Sequence, residues 1–348
     1  MNKPIAVIDL YCGIGGFTQG AIEAGATVIL SIDAWNEAVI VHKKNHPGIP
    51  CWNMKLGTES DWKLIKKVMD KYPNYHIHIH GSPPCQALSN ASSTNSEKGM
   101  VLVNHYLEMI EKLNPDSWSM ENVVPLKKKL PEKIKSVILN SADFGVPQTR
   151  RRCYAGNGWL ANPILSKDKW LSVLDVLPHL NDELLTHMDS GRSSSKTTGI
   201  TPSTGKVGGG SGPLFRTLND PSYTIMSSPK RLAVLNLDGA GKSDSRRAKS
   251  ADIGSTNSIG AAAIAKDRRI TKPSKVIRGH HVTLRDKQDQ EKPVKIRSLT
   301  LSETLVLQGF SPDYDLSDAN TMKSRWTMCG NAVPPAVGAA VIRGIHIG

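Results

Sequence analysis

Residues 4–17 read PIAVIDLYCGIGGF. The apolar run 4–10 (PIAVIDL) has the length and content of a buried strand, and 16–24 read as a short helix stopped by Gly25. Between them runs Asp9-Leu10-Tyr11-Cys12-Gly13-Ile14-Gly15-Gly16-Phe17. Glycines at a strand-to-helix junction let the backbone approach a ligand closely, and a helix start favours polar or anionic groups. Asp33, closing a second strand at 27–32, is placed to accept hydrogen bonds from ribose hydroxyls, and Trp35 to stack on an adenine. A dinucleotide fingerprint would want glycine where Thr18 stands, so a tight βα turn without a ligand is the alternative.

Outward from this unit the alternation continues. A helix at 36–46 closes at Pro47-Gly48, and a strand at 76–80 leads into Gly81-Ser82-Pro83-Pro84. Val101, Leu102, His105, Tyr106, Met109, Ile110 and Leu113 fall at helical spacing over 98–113, and Pro131 predicts a helix to about Ala142. Strand–helix alternation of this kind predicts an α/β fold: a Rossmann-like, mostly parallel sheet flanked by helices, with ligands beyond the carboxyl ends of its strands. The rhythm stops near residue 190. Residues 190–213 (SGRSSSKTTGITPSTGKVGGGSGP) read as a mobile loop or linker, a second small-residue stretch lies at 254–265, and helical patterning returns at 300–308 and 334–345.

Composition narrows the function classes. The 348 residues carry 44 Lys+Arg against 31 Asp+Glu, a net charge of +13, which points to a polyanionic partner, nucleic acid first. The charge is concentrated: 228–297 hold 17 basic and 7 acidic residues, so 17 − 7 = +10 of it lies in that segment. There is no run of ~18 apolar residues to span a membrane and no secretory pattern at the start. Cys12, Cys51, Cys85, Cys153 and Cys329 are odd in number and never form a CxxC pair, which argues against a disulfide framework or zinc ribbon and for a reducing, cytoplasmic compartment.

Three strand ends carry reactive groups. Two prolines stiffen Gly81-Ser82-Pro83-Pro84-Cys85-Gln86 and present a thiol at the sheet edge, although a buried turn cysteine would look the same. Met120-Glu121-Asn122-Val123 offers a carboxylate. In Gln148-Thr149-Arg150-Arg151-Arg152 a period of two puts Gln148, Arg150 and Arg152 on one face; a structural ion pair of Glu121 with Arg150 or Arg152 is the plainer alternative to a catalytic constellation. His76, His78 and His80 share a strand face, but a buried strand explains them without a metal.

With Arg297-Ser298-Leu299-Thr300-Leu301-Ser302-Glu303, Leu307-Gln308-Gly309-Phe310 and Gly330-Asn331-Ala332-Val333-Pro334-Pro335 added in order, the chain resembles the DNA (cytosine-5) methyltransferases at both its ends. That resemblance implies catalysis by Cys85 as nucleophile toward cytosine carbon 6, with Glu121 at ring nitrogen 3, Arg152 at the 2-carbonyl, and Arg150 and Gln148 bracing them. It implies S-adenosyl-L-methionine as cofactor, S-adenosyl-L-homocysteine as product and no metal. The implied cofactor contacts are Asp9, Tyr11, Gly13, Gly15, Gly16, Asp33, Trp35, Asn53, Pro83, Leu102, Asn331 and Val333. The target base must be flipped out of the duplex. Tyr11 stands where phenylalanine is usual, Leu88 for an aromatic, Asn53 or Met54 for an acidic residue and Val306 for a basic one; none removes a catalytic group.

The resemblance also implies a catalytic domain over 1–184, a small basic target-recognition domain over 185–312 and a segment 313–348 returning to the first. Phosphate and base contacts are expected from Lys230, Arg231, Arg246, Arg247, Arg268, Arg269 and Arg278. The implied partner is double-stranded DNA, bound by a monomer, nucleoid-associated, with a separate cognate restriction endonuclease. A transfer-RNA cytosine methyltransferase and a non-catalytic DNA-binding homologue are the alternatives; the large basic region speaks against the first, and Cys85, Glu121 and Arg152 together against the second.

Overall fold

A computed structural model describes residues 3–84, 96–180, 198–202, 216–217, 221–223, 225, 232–236, 281–285 and 291–346. Cys85, Leu88, Lys230, Arg231, Arg246, Arg247, Arg268, Arg269 and Arg278 lie outside them.

The first half builds β1 (Ile5–Leu10), α1 (Gly16–Glu23), β2 (Thr27–Asp33), α2 (Asn36–Asn45), β3 (Cys51–Asn53), α3 (Glu59–Met69), β4 (His76–Gly81), α4 (Ser96–Leu113) and β5 (Ser117–Asn122). Then come β6 (Ser136–Asn140), β7 (Gln148–Thr149) and β8 (Arg151–Asn157). Seven of these form one sheet in the order β3-β2-β1-β4-β5-β8-β6, parallel except for β8, which runs antiparallel to both its neighbours. β1 and β2 are nearly continuous apolar runs, as expected of strands covered on both faces, and Val7, Ile8, Leu30, Ile32 and, on β4, Ile79 are fully enclosed. The α/β expectation is met. From β1 the chain winds outward to β2 and β3, then crosses back to β4 and β5. The order therefore reverses between β1 and β4, and the crevice at their carboxyl ends is where such sheets take ligands.

The helix that packs on α1 comes from the far end of the chain. Beyond α5 (Val173–Val176) and a small antiparallel sheet lie α6 (Leu301–Leu307), α7 (Met322–Asn331) and α8 (Pro335–Arg343). α8 packs on α1 so tightly that a Cβ on Gly16 would stand 2.0 Å from the Val333 carbonyl oxygen, and one on Gly20 2.2 Å from that of Pro335. Those oxygens belong to the backbone and cannot swing aside. Gly16→Ala is expected to cost about 3 kcal/mol, read as a lower urea midpoint at unchanged m-value. An unchanged midpoint would mean the two helices part freely.

β4 settles the three histidines. His76 Nε2 and His78 Nδ1 both meet Ser117 Oγ at 2.8 Å. His78 Nε2 and His80 Nδ1 meet Ser119 Oγ at 2.9 and 2.8 Å, and His80 Nε2 meets Ser82 Oγ at 3.0 Å. Every imidazole nitrogen on this ladder except His76 Nδ1 is thus paired with a serine on β5 or at the end of β4, so the face is a buried polar seam. Phe17 stacks on the His80 ring at 3.5 Å between centroids.

Two sequence expectations fail. The helix predicted from Pro131 to Ala142 is instead the strand β6, paired antiparallel with β8. Ser136-Val137-Ile138-Leu139 is rich in strand-forming side chains, and pairing overrides the proline signal. The linker expected over 190–213 contains a strand, Thr198–Pro202, paired antiparallel with Leu232–Asn236. Helix α3 was not anticipated, though the Thr58/Asp61 capping box announces it. Leu299, Leu305, Leu307 and Phe310 pack in one core with Ile14, Ala38 and Val41, so the chain's last motifs are buried against its first.

Candidate active site

At the crevice, two loops leave the sheet side by side: Leu10 pairs with Gly81 in register, and Ser82 N donates to Leu10 O at 3.1 Å. In the first loop Tyr11 and Gly13 adopt left-handed backbone at φ 56° and 54°, and Gly15 caps α1 at φ 91°. A tyrosine in that region is held against its own preference, a feature common at ligand sites. Its hydroxyl is buried without a hydrogen-bond partner among the described residues, and burial pushes it well above the ordinary tyrosine range.

Asp33 organises this loop. Oδ2 accepts from Gly13 N at 2.8 Å and Oδ1 from Trp35 N at 2.7 Å. Burial raises its carboxyl, and the hydrogen bonds from Trp35, Gly13 and Ala34 oppose the rise. Asn53, register partner of Asp33, spends its Nδ2 on the carbonyls of Asp33 and Ala34 at 3.2 and 3.1 Å. Asp9 faces the other way, beneath α1, with Oδ2 accepting from Thr18 N at 3.1 Å and Thr18 Oγ1 at 2.7 Å. Burial pushes Asp9 up to about 7, against the pull of both Thr18 contacts. Thr18 is therefore no failed glycine: its hydroxyl also touches Ser31 Oγ at 3.1 Å and His42 Nε2 at 3.2 Å, knitting α1, β2 and α2 beneath the loop.

The far motifs complete the floor. Val333 is buried against Gly16, and the Tyr314 hydroxyl donates to the Ile14 carbonyl. Asn331 is exposed at the end of α7, and Leu102 is half-buried on α4. Trp35 is half-buried beside Asp33. A glycine turn with open space at Gly13, a carboxylate acceptor at a strand end and an indole beside it form a set suited to a nucleoside with a polar tail.

Across the crevice, Pro83 is buried, and Asn122 Nδ2 donates to Pro83 O at 3.0 Å, tying the Pro-Pro loop to the end of β5. Glu121, one residue earlier, is buried, and its Oε1 lies 3.2 Å from Arg152 Nε without a hydrogen bond of good geometry. The expected single face of Gln148, Arg150 and Arg152 is divided. The backbone breaks between β7 and β8 at Arg150. Arg152 joins Glu121, whereas Arg150 Nη1 donates to Ile225 O at 3.1 Å and Gly330 O at 2.9 Å. Gln148 donates to Leu307 O at 3.2 Å and Gln308 Oε1 at 2.6 Å and accepts from Ile225 N at 2.9 Å. Both residues brace distant segments together. Asn122, Gln308, Tyr314 and Thr18 are the structural partners to which sequence reasoning assigned no role; Asn122 and Gln308 stood inside the quoted motifs, and Tyr314 carried no signal.

The family model for C-5 cytosine-specific DNA methylases matches residues 5–157 and 195–346. The chain is 29% identical over 163 residues to the Type II methyltransferase M.AgeI of Thalassovita gelatinovora, covering 42% of this chain and 38% of that one. It is 28% identical over 198 residues to the Type II methyltransferase M1.HphI of Haemophilus parahaemolyticus, covering 50% and 52%. These matches span about half or less of the relatives' own length. In fold the chain resembles the Entamoeba histolytica methyltransferase EhMeth, with a TM-score of 0.56 over 99% of this chain and 98% of that one at 18% identity. With the family match running from β1 through α8, this chain belongs to the C-5 cytosine-specific DNA methylase family.

Proposed function

We propose that this protein methylates carbon 5 of a cytosine flipped out of double-stranded DNA, through a covalent adduct with Cys85. The observation that carries the proposal is the convergence of the glycine loop, the Pro83-Pro84 loop and the Glu121–Arg152 pair at one switch point of the sheet.

S-adenosyl-L-methionine, when bound, supplies an electrophilic methyl group. The residues fit it: nothing crowds Gly13, and Asp33 and Trp35 stand beside that turn for ribose and adenine, with contacts from Tyr11, Gly15, Gly16, Asn53, Pro83, Leu102, Asn331 and Val333 as part of the same proposal. On the nucleic-acid side, the Cys85 thiolate adds to carbon 6 and makes carbon 5 enamine-like. Charge building on the ring is relieved at nitrogen 3 by Glu121, whose Oε1 is buried and lacks a hydrogen-bond partner among the described residues. Arg152, held by that carboxylate, turns its guanidinium to the 2-carbonyl, while Arg150 and Gln148 keep the site's segments together. Carbon 5, so activated, would take the methyl group that the cofactor supplies; loss of the carbon-5 proton to water and elimination across carbons 5 and 6 then release Cys85. The division into 1–184, 185–312 and 313–348, with DNA held by Lys230, Arg231, Arg246, Arg247, Arg268, Arg269 and Arg278, belongs to the same proposal and rests on the +10 of residues 228–297.

Bisulfite sequencing of DNA from an expressing host tests it. The expected result is 5-methylcytosine at one position of one short sequence. Unmethylated DNA beside methylated transfer RNA would overturn the DNA assignment.

A further inference from the structure

Three buried donors meet beneath the glycine loop and take no part in the proposed reaction. Cys12, Cys51 and His42 are 8%, 3% and 0% exposed. Their ligand atoms lie within 4.8 Å of one another, and the two Sγ atoms are 4.0 Å apart. His42 touches Thr18 through Nε2, but its Nδ1 is buried with no hydrogen-bond partner among the described residues. A wholly enclosed nitrogen left unsatisfied is costly unless something meets it.

A disulfide does not suit this arrangement. Cys12 N donates to Ile32 O, while Cys51 is the register partner of Ser31, so the two cysteines flank β2 on opposite sides. Two strand spacings put their backbones ~9.6 Å apart, beyond the ~7 Å that a disulfide spans. A bridging ion needs no such closure. Two thiolates ~2.3 Å from a tetrahedral Zn²⁺ stand ~3.8 Å from each other, close to the 4.0 Å between these sulfurs.

We propose that Cys12, His42 and Cys51 bind one thiophilic divalent cation, Zn²⁺ foremost, as a structural ion with water in the fourth position. Each thiol gives its proton to solvent as its S–Zn bond forms, and the neutral imidazole donates a lone pair. Two thiolates then cancel the charge of the ion, which suits a buried site. The ion would tie the loop after β1 to α2 and β3, the three segments that shape the ground beneath Gly13 and Asp33.

The test uses the whole chain, stripped with a chelator and titrated with Co²⁺. Expected are one ion per chain, thiolate-to-cobalt charge-transfer absorption with the intense visible bands of a tetrahedral site, displacement by one equivalent of Zn²⁺, and a melting temperature raised by the ion. Cys51→Ser is expected to lose the charge-transfer absorption. The proposal is overturned if the wild-type chain takes up no stoichiometric Co²⁺ or Zn²⁺, if bound Co²⁺ shows no thiolate charge transfer, or if mild oxidation joins Cys12 to Cys51. The wild-type readouts decide the matter even if the variant does not fold.

Discussion

Duplex DNA carrying 5-fluorocytosine at the target is expected to trap the wild-type chain in a denaturant-resistant covalent complex, and Cys85→Ser is expected to trap none. Fluorine at carbon 5 cannot leave as a cation, so once the thiolate has added to carbon 6 and carbon 5 has been methylated, elimination is blocked. Serine cannot replace the thiol: its hydroxyl is almost wholly protonated at neutral pH and is a far weaker nucleophile than a thiolate. Methyl transfer by Cys85→Ser on ordinary DNA should fall by at least about 10⁴-fold, or ~5.5 kcal/mol of barrier. Binding of the duplex should persist, because the proposed grip lies in the basic segment. An adduct formed by Cys85→Ser would place the nucleophile elsewhere. Gel electrophoresis under denaturing conditions reads the outcome directly.

Mild acid is expected to lower the chain's stability. His78 is pulled down to about 3 by burial, and His80 well below the ordinary imidazole range for the same reason. In the unfolded chain both titrate near ~6.5. Their stabilisation is therefore complete above that value and is lost as pH falls toward the folded-state values. Asp9 works in the opposite sense. Its carboxyl, raised to about 7, stays protonated in the folded chain down to the unfolded value of ~3.9, so it favours the fold as pH falls across that range. Two histidines outweigh one aspartate, so the melting temperature is expected to fall between about pH 6 and 4, as a net ~1.4 kcal/mol per pH unit would lower it. Thermal melts followed by circular dichroism from pH 7 to 4 measure it. A flat melting temperature would mean that these imidazoles are protonated within the fold at little cost.

Much of the architecture was legible from local pattern. Strand β1, the glycine turn and α1 follow from an apolar run meeting glycines, and β2, α2, β4 and α4 follow from period alone. Local pattern misled where pairing outweighed it: Ser136–Asn140 becomes a strand because β8 offers it an edge. The three histidines were legible as one face of one strand, but their partners were not, since Ser117 and Ser119 lie about forty positions further on.

The sequence by itself determined the class of fold, the family and the residue types at each strand end, because periodicity, glycine placement and ordered motifs are local properties of the chain. Tertiary structure decided who meets whom. It gave Glu121 to Arg152, turned Arg150 and Gln148 toward Gly330 and Gln308, and set Asp9 beneath α1. It also brought Cys12, His42 and Cys51 together around β2. Most of those pairings depend on strand order and on the packing of the chain's last motifs against its first, and contacts across as many as 180 positions leave no trace in a local pattern.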